Sequence, residues 1–361
     1  MPSDSRHRVA VLPGDGIGPS VVEAACQVLD ATGAKLAWEP LDIGVRAYDH
    51  TGQALPEDAI ETIRAIGVAL KGPLETRPDL PFTSVNVGLR RALGLNAQFR
   101  PVQSWRGTPS RYGNVDLIVA RETTEDLYRG IEFDSGTQAG RDLVQWLMSH
   151  GHDVPADSGF SLKPISPGAV RAFLTVALAQ VRKMGRRRIT LVHKAAVMRA
   201  TDALFLREAE AAGAACPDLV VDSMTVDAMA SALVRHPENY DVVLTMNQYG
   251  DILSDLASGL IGGVGLAPGV NLGPGVAVFE AAHGTAPRHV NRESANPLAL
   301  VLCGAMLLDH LGEARAAARV RSAVSAVVEE GTNVTRDLRR AGDARPAVST
   351  DKVARAVIDH L

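Results

Sequence analysis

Short apolar runs alternate with amphipathic stretches along most of this chain, and that alternation restricts its architecture more than any single motif does. "VAVLP" from Val9, "VALKG" from Val68, "VDLIVARE" from Val115, "RITLVH" from Arg188, "DVVLTM" from Asp241 and "GVAVFE" from Gly275 read as strands, with helical spacing of apolar residues between them. Buried run, helix, buried run is the pattern of βαβ units, so the chain is predicted to be an α/β protein with a substantial parallel sheet. At 361 residues it exceeds one ordinary domain, which predicts two domains or one with a large insertion. The rhythm breaks over 126–166, a polar, glycine-bearing segment with one short helical piece in "RDLVQWLMSH"; it reads as an insertion, an arm or a subunit contact. Residues 313–330 read as a surface helix packed by its alanines and valines.

Composition excludes several functions. A net charge of −4 offers no general attraction to nucleic acid or acidic membranes, and an aromatic share of 4% supplies no base-stacking surface. Cys26, Cys216 and Cys303 are odd in number and far apart, which fits a reducing compartment rather than a disulfide framework. The polar start "MPSDSRHR" lacks the apolar core of a signal peptide, and no run is long enough to span a membrane, so a cytoplasmic protein is expected.

The first strand runs into "PGDGIGPSV" and then a helical pattern, an arrangement that can present backbone N–H groups to a phosphate. The spacing is not that of the dinucleotide fingerprint, because the third glycine comes one residue early and Pro19 follows. Glu39 sits where a ribose-binding acid would stand, but the turn reads better as a tight βα connection with proline in the first helical turn. A second glycine-dense stretch, Gly259 to Gly275, carries Leu, Ile and Val between its glycines; it is expected to be backbone packed closely on core or ligand, not a linker.

The most informative stretch is "NQYGDILSDLASGL", 247–260. Asp251 and Asp255 are four apart, so a helix projects both carboxylates from one face, where they repel unless a cation lies between them. Hard divalent ions favour such oxygens. Asp227, heading the apolar helix of "VDAMASALV", is a third candidate ligand or simply a first-turn acid. Arg90 and Arg100 flank "RALGLNAQF", and Arg121 ends a buried-looking strand, the place where α/β proteins bind ligands. With Ser84 and Asn86 these arginines form a candidate carboxylate-reading cluster. Lys194 ends another apolar strand, as a snorkelling side chain or a functional amine, and Tyr128 is the remaining candidate for proton transfer.

Taken together, these pieces resemble the decarboxylating dehydrogenases of 3-substituted malates: isocitrate, 3-isopropylmalate, homoisocitrate and tartrate dehydrogenases. The likeness runs through "VAVLPGDGIGPSVVEA", "LKGPLET", "SVNVGLRRALGLNAQFRP", "RETTEDLYRGIEF", "VHKAAVM", "NQYGDILSDLASGLIGGVGLAPGVNLG" and "AVFEAAHGTAPRHVNRESANPLA", and "SVNVGLR" with "RGTPS" resembles the isocitrate branch, NADP-dependent members above all. It implies two α/β domains sharing a central sheet region, with a cofactor site unlike the Rossmann fold. The large domain would comprise 1–95 and 262–361, the small one 96–125 and 167–261, and 126–166 would be a clasp arm. Ser84, Asn86, Arg90, Arg100 and Arg121 would grip the substrate carboxylates. Asp251, Asp255 and the partner subunit's Asp227 would hold Mg²⁺ or Mn²⁺ as a Lewis acid. Lys194, also lent by the partner, would help remove the hydroxyl proton, and Tyr128 would protonate the enol carbon after CO₂ is lost. A homodimer with shared active sites follows, with a small 3-substituted malate as substrate.

The nucleotide would fall to Thr76, the loop of His283, Gly284, Thr285, Ala286, Arg288 and His289, and Asn296, Arg336 and Arg340. NAD-using relatives place an acid after the Ala-Pro, where this chain has Arg288; cations there and at Arg336 and Arg340 favour the 2′-phosphate of NADP over NAD. Thr123, Ala196, Glu75 and Arg77 depart from the isocitrate pattern, so homoisocitrate, a phosphonate-bearing malate or 3-isopropylmalate stand as alternative substrates, with Arg77 an extra anion contact. A silent regulatory subunit would have lost some of Tyr128, Lys194, Asp227, Asp251 and Asp255, and all five are present.

Overall fold

In a computed structural model the protein is described over residues 6–77, 79–80, 84–290, 294–340 and 342–361; part of the "PRHVNRES" motif, 291–293, lies outside the described residues. Its strands are β1 His7–Leu12, β2 Leu36–Pro40, β3 Val68–Lys71, β4 Ala97–Gln103, β5 Asp116–Glu122, β6 Glu132–Phe133, β7 Phe160–Ser161, β8 Arg188–His193, β9 Val220–Thr225, β10 Val242–Thr245, β11 Val270–Gly273 and β12 Val276–Glu280. Ten of them form one sheet in the order β2-β1-β3-β12-β11-β4-β5-β10-β8-β9, and β6 pairs only with β7.

The sheet is parallel towards both ends and antiparallel in the middle, where β11 pairs with β12 and β4, and β4 with β5. The reversal between β11 and β12 takes only Pro274 and Gly275, and Gly275 supplies the positive φ (73°) that so short a loop requires. Helices cover both faces. The helix Leu298–His310 has ten buried residues among its thirteen, apolar all round, as befits a helix enclosed by its neighbours. Gly304 lets it close on Leu29 of the helix Gly18–Ala31, since a Cβ there would lie 2.6 Å from a Leu29 methyl. The helix Ala314–Glu330 buries Ala316, Ala317, Ala323 and its valines and leaves its arginines outward, as the spacing predicts.

Residues 126–166 stand apart from the ten-stranded sheet as the β6–β7 ribbon and the helix Gln138–Ser149. They expose Ile131, Trp146, Met148 and Leu162.

Candidate active site

Antiparallel partners share a face of a sheet, and residues two apart on one strand do too. Registers of Asn271 with Gln98, Gln98 with Arg121, and Glu280 with Lys71 therefore put Lys71, Glu280, Asn271, Gln98, Arg100 and Arg121 on one face of the central strands. Val270, Leu272 and Phe279 occupy the other. The polar face is covered by the helix Asn247–Leu260, and here the site is built.

Arg121 is 2% exposed. Its Nε and Nη2 donate to Asn247 Oδ1 at 3.0 and 2.7 Å, and its Nη1 pairs with Asp251. The helix comes this near because residue 250 is glycine: a Cβ would meet Arg121 Cγ at 2.6 Å. Tyr128 donates its hydroxyl to the second Asp251 oxygen at 2.6 Å, with its ring 5.2 Å below the Arg121 guanidinium carbon. Arg100 Nη1 donates to Ser254 Oγ at 2.6 Å and to Asp255 Oδ1 at 2.9 Å.

Burial pushes the Tyr128 hydroxyl up to about 12, reinforced by its bond to Asp251, so it holds its proton at neutral pH. Burial would raise Asp251 as well, but Arg121, Tyr128, Arg100 and Arg90 together bring it below the ordinary carboxylate value. At Asp255 burial prevails over Arg100 and the net direction is upward. Two carboxylates one turn apart, each already facing an arginine, make an all-oxygen donor set that fits a hard divalent cation. Asp227 is not with them. It lies in the first turn of the helix Val226–Arg235 and pairs with Lys194, just beyond β8. Among the described residues of one chain, no three His, Cys, Asp or Glu side chains gather as a metal site.

Arg90, on the helix Val85–Leu93, turns to Glu280 at 3.0 Å and to Asn271 Oδ1 at 3.1 Å. Glu280 also accepts from Asn271 at 2.7 Å and Gln98 at 3.1 Å, and pairs with Lys71 at 2.8 Å. Burial works against its charge, yet Lys71 and Arg90 hold its carboxyl far below the usual range. Sequence reasoning passed over this cluster. Lys71 and Glu280 each end an otherwise apolar strand, the same signal that singled out Arg121. Ser84 precedes the Arg90 helix without capping it, and Asn86 Oδ1 is buried with no partner among the described residues.

The expected nucleotide residues lie on the loop after β12 and on a turn near the C-terminus. Ala286 has φ 42°, a left-handed conformation uncommon for a non-glycine residue and typical of functional loops. His283 Nε2 is buried without a partner among the described residues, and burial lowers the ring's affinity for a second proton. An orphaned buried ring nitrogen on that loop fits residues arranged for a ligand. Asn296 donates to Asp337 at 2.8 Å, tying the loop to the turn Arg336–Leu338. Arg339 is spent on the carbonyls of Thr332 and Pro346 and on Asp343. Arg288, His289, Arg336 and Arg340 are exposed, and no carboxylate pairs with them among the described residues. Thr76 and Gly284 are exposed as well.

The opening glycine turn is a brace for these loops. A Cβ on Gly16 would lie 2.3 Å from the Thr285 carbonyl oxygen, and Ile17 N–H donates to that oxygen at 3.1 Å. A Cβ on Gly14 would strike the Pro73 carbonyl. Glu39 pairs with Arg8 across the outer strand pair β1–β2.

A family model for isocitrate/isopropylmalate dehydrogenase matches residues 8–357. The chain belongs to that family. An isocitrate dehydrogenase crystal structure from Methylococcus capsulatus superposes with a TM-score of 0.89 at 38% identity, covering 98% of this chain and 99% of the other. A probable mitochondrial NAD isocitrate dehydrogenase subunit alpha of Caenorhabditis elegans is 37% identical over 93% of this chain and 88% of its own length. The NADP isocitrate dehydrogenase of Thermus thermophilus is 36% identical over 99% of this chain and 68% of its own. NAD and NADP relatives thus stand at equal distance. The family fold, a decarboxylating-dehydrogenase fold with a large mixed sheet, is that of this chain.

Proposed function

We propose that the protein catalyses the oxidative decarboxylation of isocitrate to 2-oxoglutarate and CO₂ with reduction of NADP. The observation that carries this reading is the Tyr128–Asp251–Arg121 constellation, protonated phenol against carboxylate against buried guanidinium, on the polar face of the sheet. Arg90, Arg100 and Arg121 bind and orient the substrate carboxylates, with Ser84 and Asn86 beside them. Asp251 and Asp255, with Asp227 of the partner subunit, hold Mg²⁺ or Mn²⁺, and the bound metal and nicotinamide supply Lewis acidity and hydride acceptance. Lys194 of the partner subunit helps remove the hydroxyl proton, and Tyr128, raised towards the neutral form, delivers a proton to carbon.

The separation of Lys194 and Asp227 from Asp251 and Asp255 within one chain supports a site completed by a second copy, and so a homodimer. The exposed apolar side chains of the 126–166 arm suit a clasp between subunits. Strand order supports a two-lobe division, because β1–β3, β11 and β12 fill one side of the sheet and β4, β5 and β8–β10 the other. That no carboxylate among the described residues pairs with Arg288, Arg336 or Arg340 supports NADP. Arg77, the extra anion contact of the analogue reading, already gives two donors to Asp79, at 3.1 and 2.5 Å, which favours isocitrate over a phosphonate-bearing malate. No described helix is long and apolar enough to cross a membrane, and a cytoplasmic location is proposed with the rest.

The test is reduced-cofactor absorbance with isocitrate, homoisocitrate, 3-isopropylmalate and a phosphonate-bearing malate, each with Mg²⁺ and either nucleotide. Isocitrate with NADP is expected to give the highest kcat/KM. Preference for NAD sinks the cofactor assignment, and preference for another malate sinks the substrate.

A further inference from the structure

Beside the site lies a buried ion pair that the chemistry above does not use. Asp202, in the first turn of the helix Asp202–Ala214, is fully buried. Its Oδ1 accepts from Lys163 Nζ at 2.7 Å and from the Thr201 hydroxyl at 3.2 Å. Its Oδ2 accepts the backbone N–H of Lys194 at 2.8 Å and the Tyr249 hydroxyl at 3.1 Å. The Lys163 ammonium also stands 4.7 Å from the centre of the Tyr249 ring and 3.8 Å from Asp126 Oδ1. Asp126, fully buried at φ 70°, accepts from Leu127 N–H at 2.8 Å and from Gln248 N–H at 3.0 Å. One carboxylate thus fixes the strand end that carries Lys194. The other fixes the turn that carries Tyr128 and the first turn of the helix that carries Asp251 and Asp255. Lys163 is the cation between them.

We propose that Lys163 and Asp202 are positioning residues, joining the groups a subunit keeps (Tyr128, Asp251, Asp255) to the Lys194 that it lends. Buried charges this fully bonded hold a single geometry, because each alternative leaves an unpaired ion in a low-dielectric interior. Lys163 also follows Leu162, whose N–H bonds Ile131 and whose side chain is exposed on the arm, so the seating of the arm reaches both halves of the site through this one ammonium. The inference rests on the dehydrogenase reading for its catalytic meaning, and its physical content stands apart from it.

The double variant Lys163→Met/Asp202→Asn removes the cation and one of its two carboxylates, and leaves Asp126 held by the N–H groups of Leu127 and Gln248. In the full-length protein, its kcat for isocitrate is expected to fall by about 100-fold, the scale of a misplaced catalytic group, while KM changes less than about threefold. Amide exchange at Lys194 and Gln248 is expected to quicken by about tenfold or more, as Lys194 N–H loses the Asp202 carboxylate and Gln248 N–H bonds to an Asp126 no longer held by Lys163. Wild-type kcat, or unchanged exchange at both amides, overturns the proposal. Exchange is read without turnover, so a wild-type protein inert towards every malate would end the dehydrogenase reading and still leave this test decisive. Should the double variant not fold, Lys163→Arg keeps the charge but replaces a compact ammonium with a larger planar fork, which shifts where the two carboxylates are held. A kcat lowered by about tenfold at unchanged KM then supports the proposal, and wild-type kcat overturns it.

Discussion

The substrate end and the nucleotide end of the proposed site handle charge in opposite ways. At the substrate end the cations are largely buried and already paired: Arg121 with Asp251, Arg100 with Asp255, Arg90 and Lys71 with Glu280. At the nucleotide end Arg288, Arg336 and Arg340 are exposed and pair with no carboxylate among the described residues, whereas Arg339 is spent on structure. A buried ion needs its partner at all times, so the substrate end is preorganised and expensive to change. An exposed cation costs little to keep and little to replace, so nucleotide choice can differ between relatives that share a substrate end. NAD and NADP relatives at similar identity agree with that contrast.

The largest effect expected is at the paired end. Tyr128→Phe removes the proton donor and keeps the ring, and kcat should fall by about 10²–10⁴-fold with the fold intact. A drop of less than about tenfold would give the proton to another group.

Next is Glu280→Gln, which leaves Lys71 and Arg90 facing each other without the anion between them. Chemical denaturation at neutral pH should show a loss of about 3–5 kcal/mol, the cost of breaking a buried pair. The sign with pH follows from the depressed carboxyl. Its stabilisation is complete above the ordinary value of 4.5 and is lost as pH falls towards the lower folded value, so wild type and variant should converge in acid. A gap that stays constant down to pH 3 would show that Glu280 is not the group that matters.

At the unpaired end, Arg288→Gln and Arg340→Gln should each raise KM for NADP by about 10-fold, the worth of a charge-assisted hydrogen bond to phosphate, and change KM for NAD less than about twofold. Equal change for both nucleotides would remove the 2′-phosphate from the assignment. Smallest of all, Arg77→Gln should change KM for isocitrate less than about twofold, because Arg77 belongs to an exposed pair. A large rise would bring back an additional anionic substituent on the substrate.

Much of this was legible along the chain where the signal was local. Strand-helix rhythm declared the α/β fold, four-residue spacing put Asp251 and Asp255 on one face, and a charge at a strand end drew attention to Arg121. The glycine turn near the N-terminus was readable as a turn, but what it touches was not: Gly16 needs the Thr285 carbonyl, more than two hundred residues later, to explain it. The Glu280 cluster stayed unseen for the same reason. Its bonds to Arg90 and Gln98 span 190 and 182 residues, and no periodicity links them.

By itself, then, the sequence determined the element types, the family resemblance and the inventory of charged groups, because short-range periodicity and motif spacing are properties of neighbours along the chain. Only the tertiary structure decided which charges are partners. Burial in a low-dielectric interior makes pairing compulsory for Arg121, Glu280, Lys163 and Asp202, and water makes it optional for Arg288, Arg336 and Arg340. Burial arises when distant segments are packed together, as they are here on one face of the central strands.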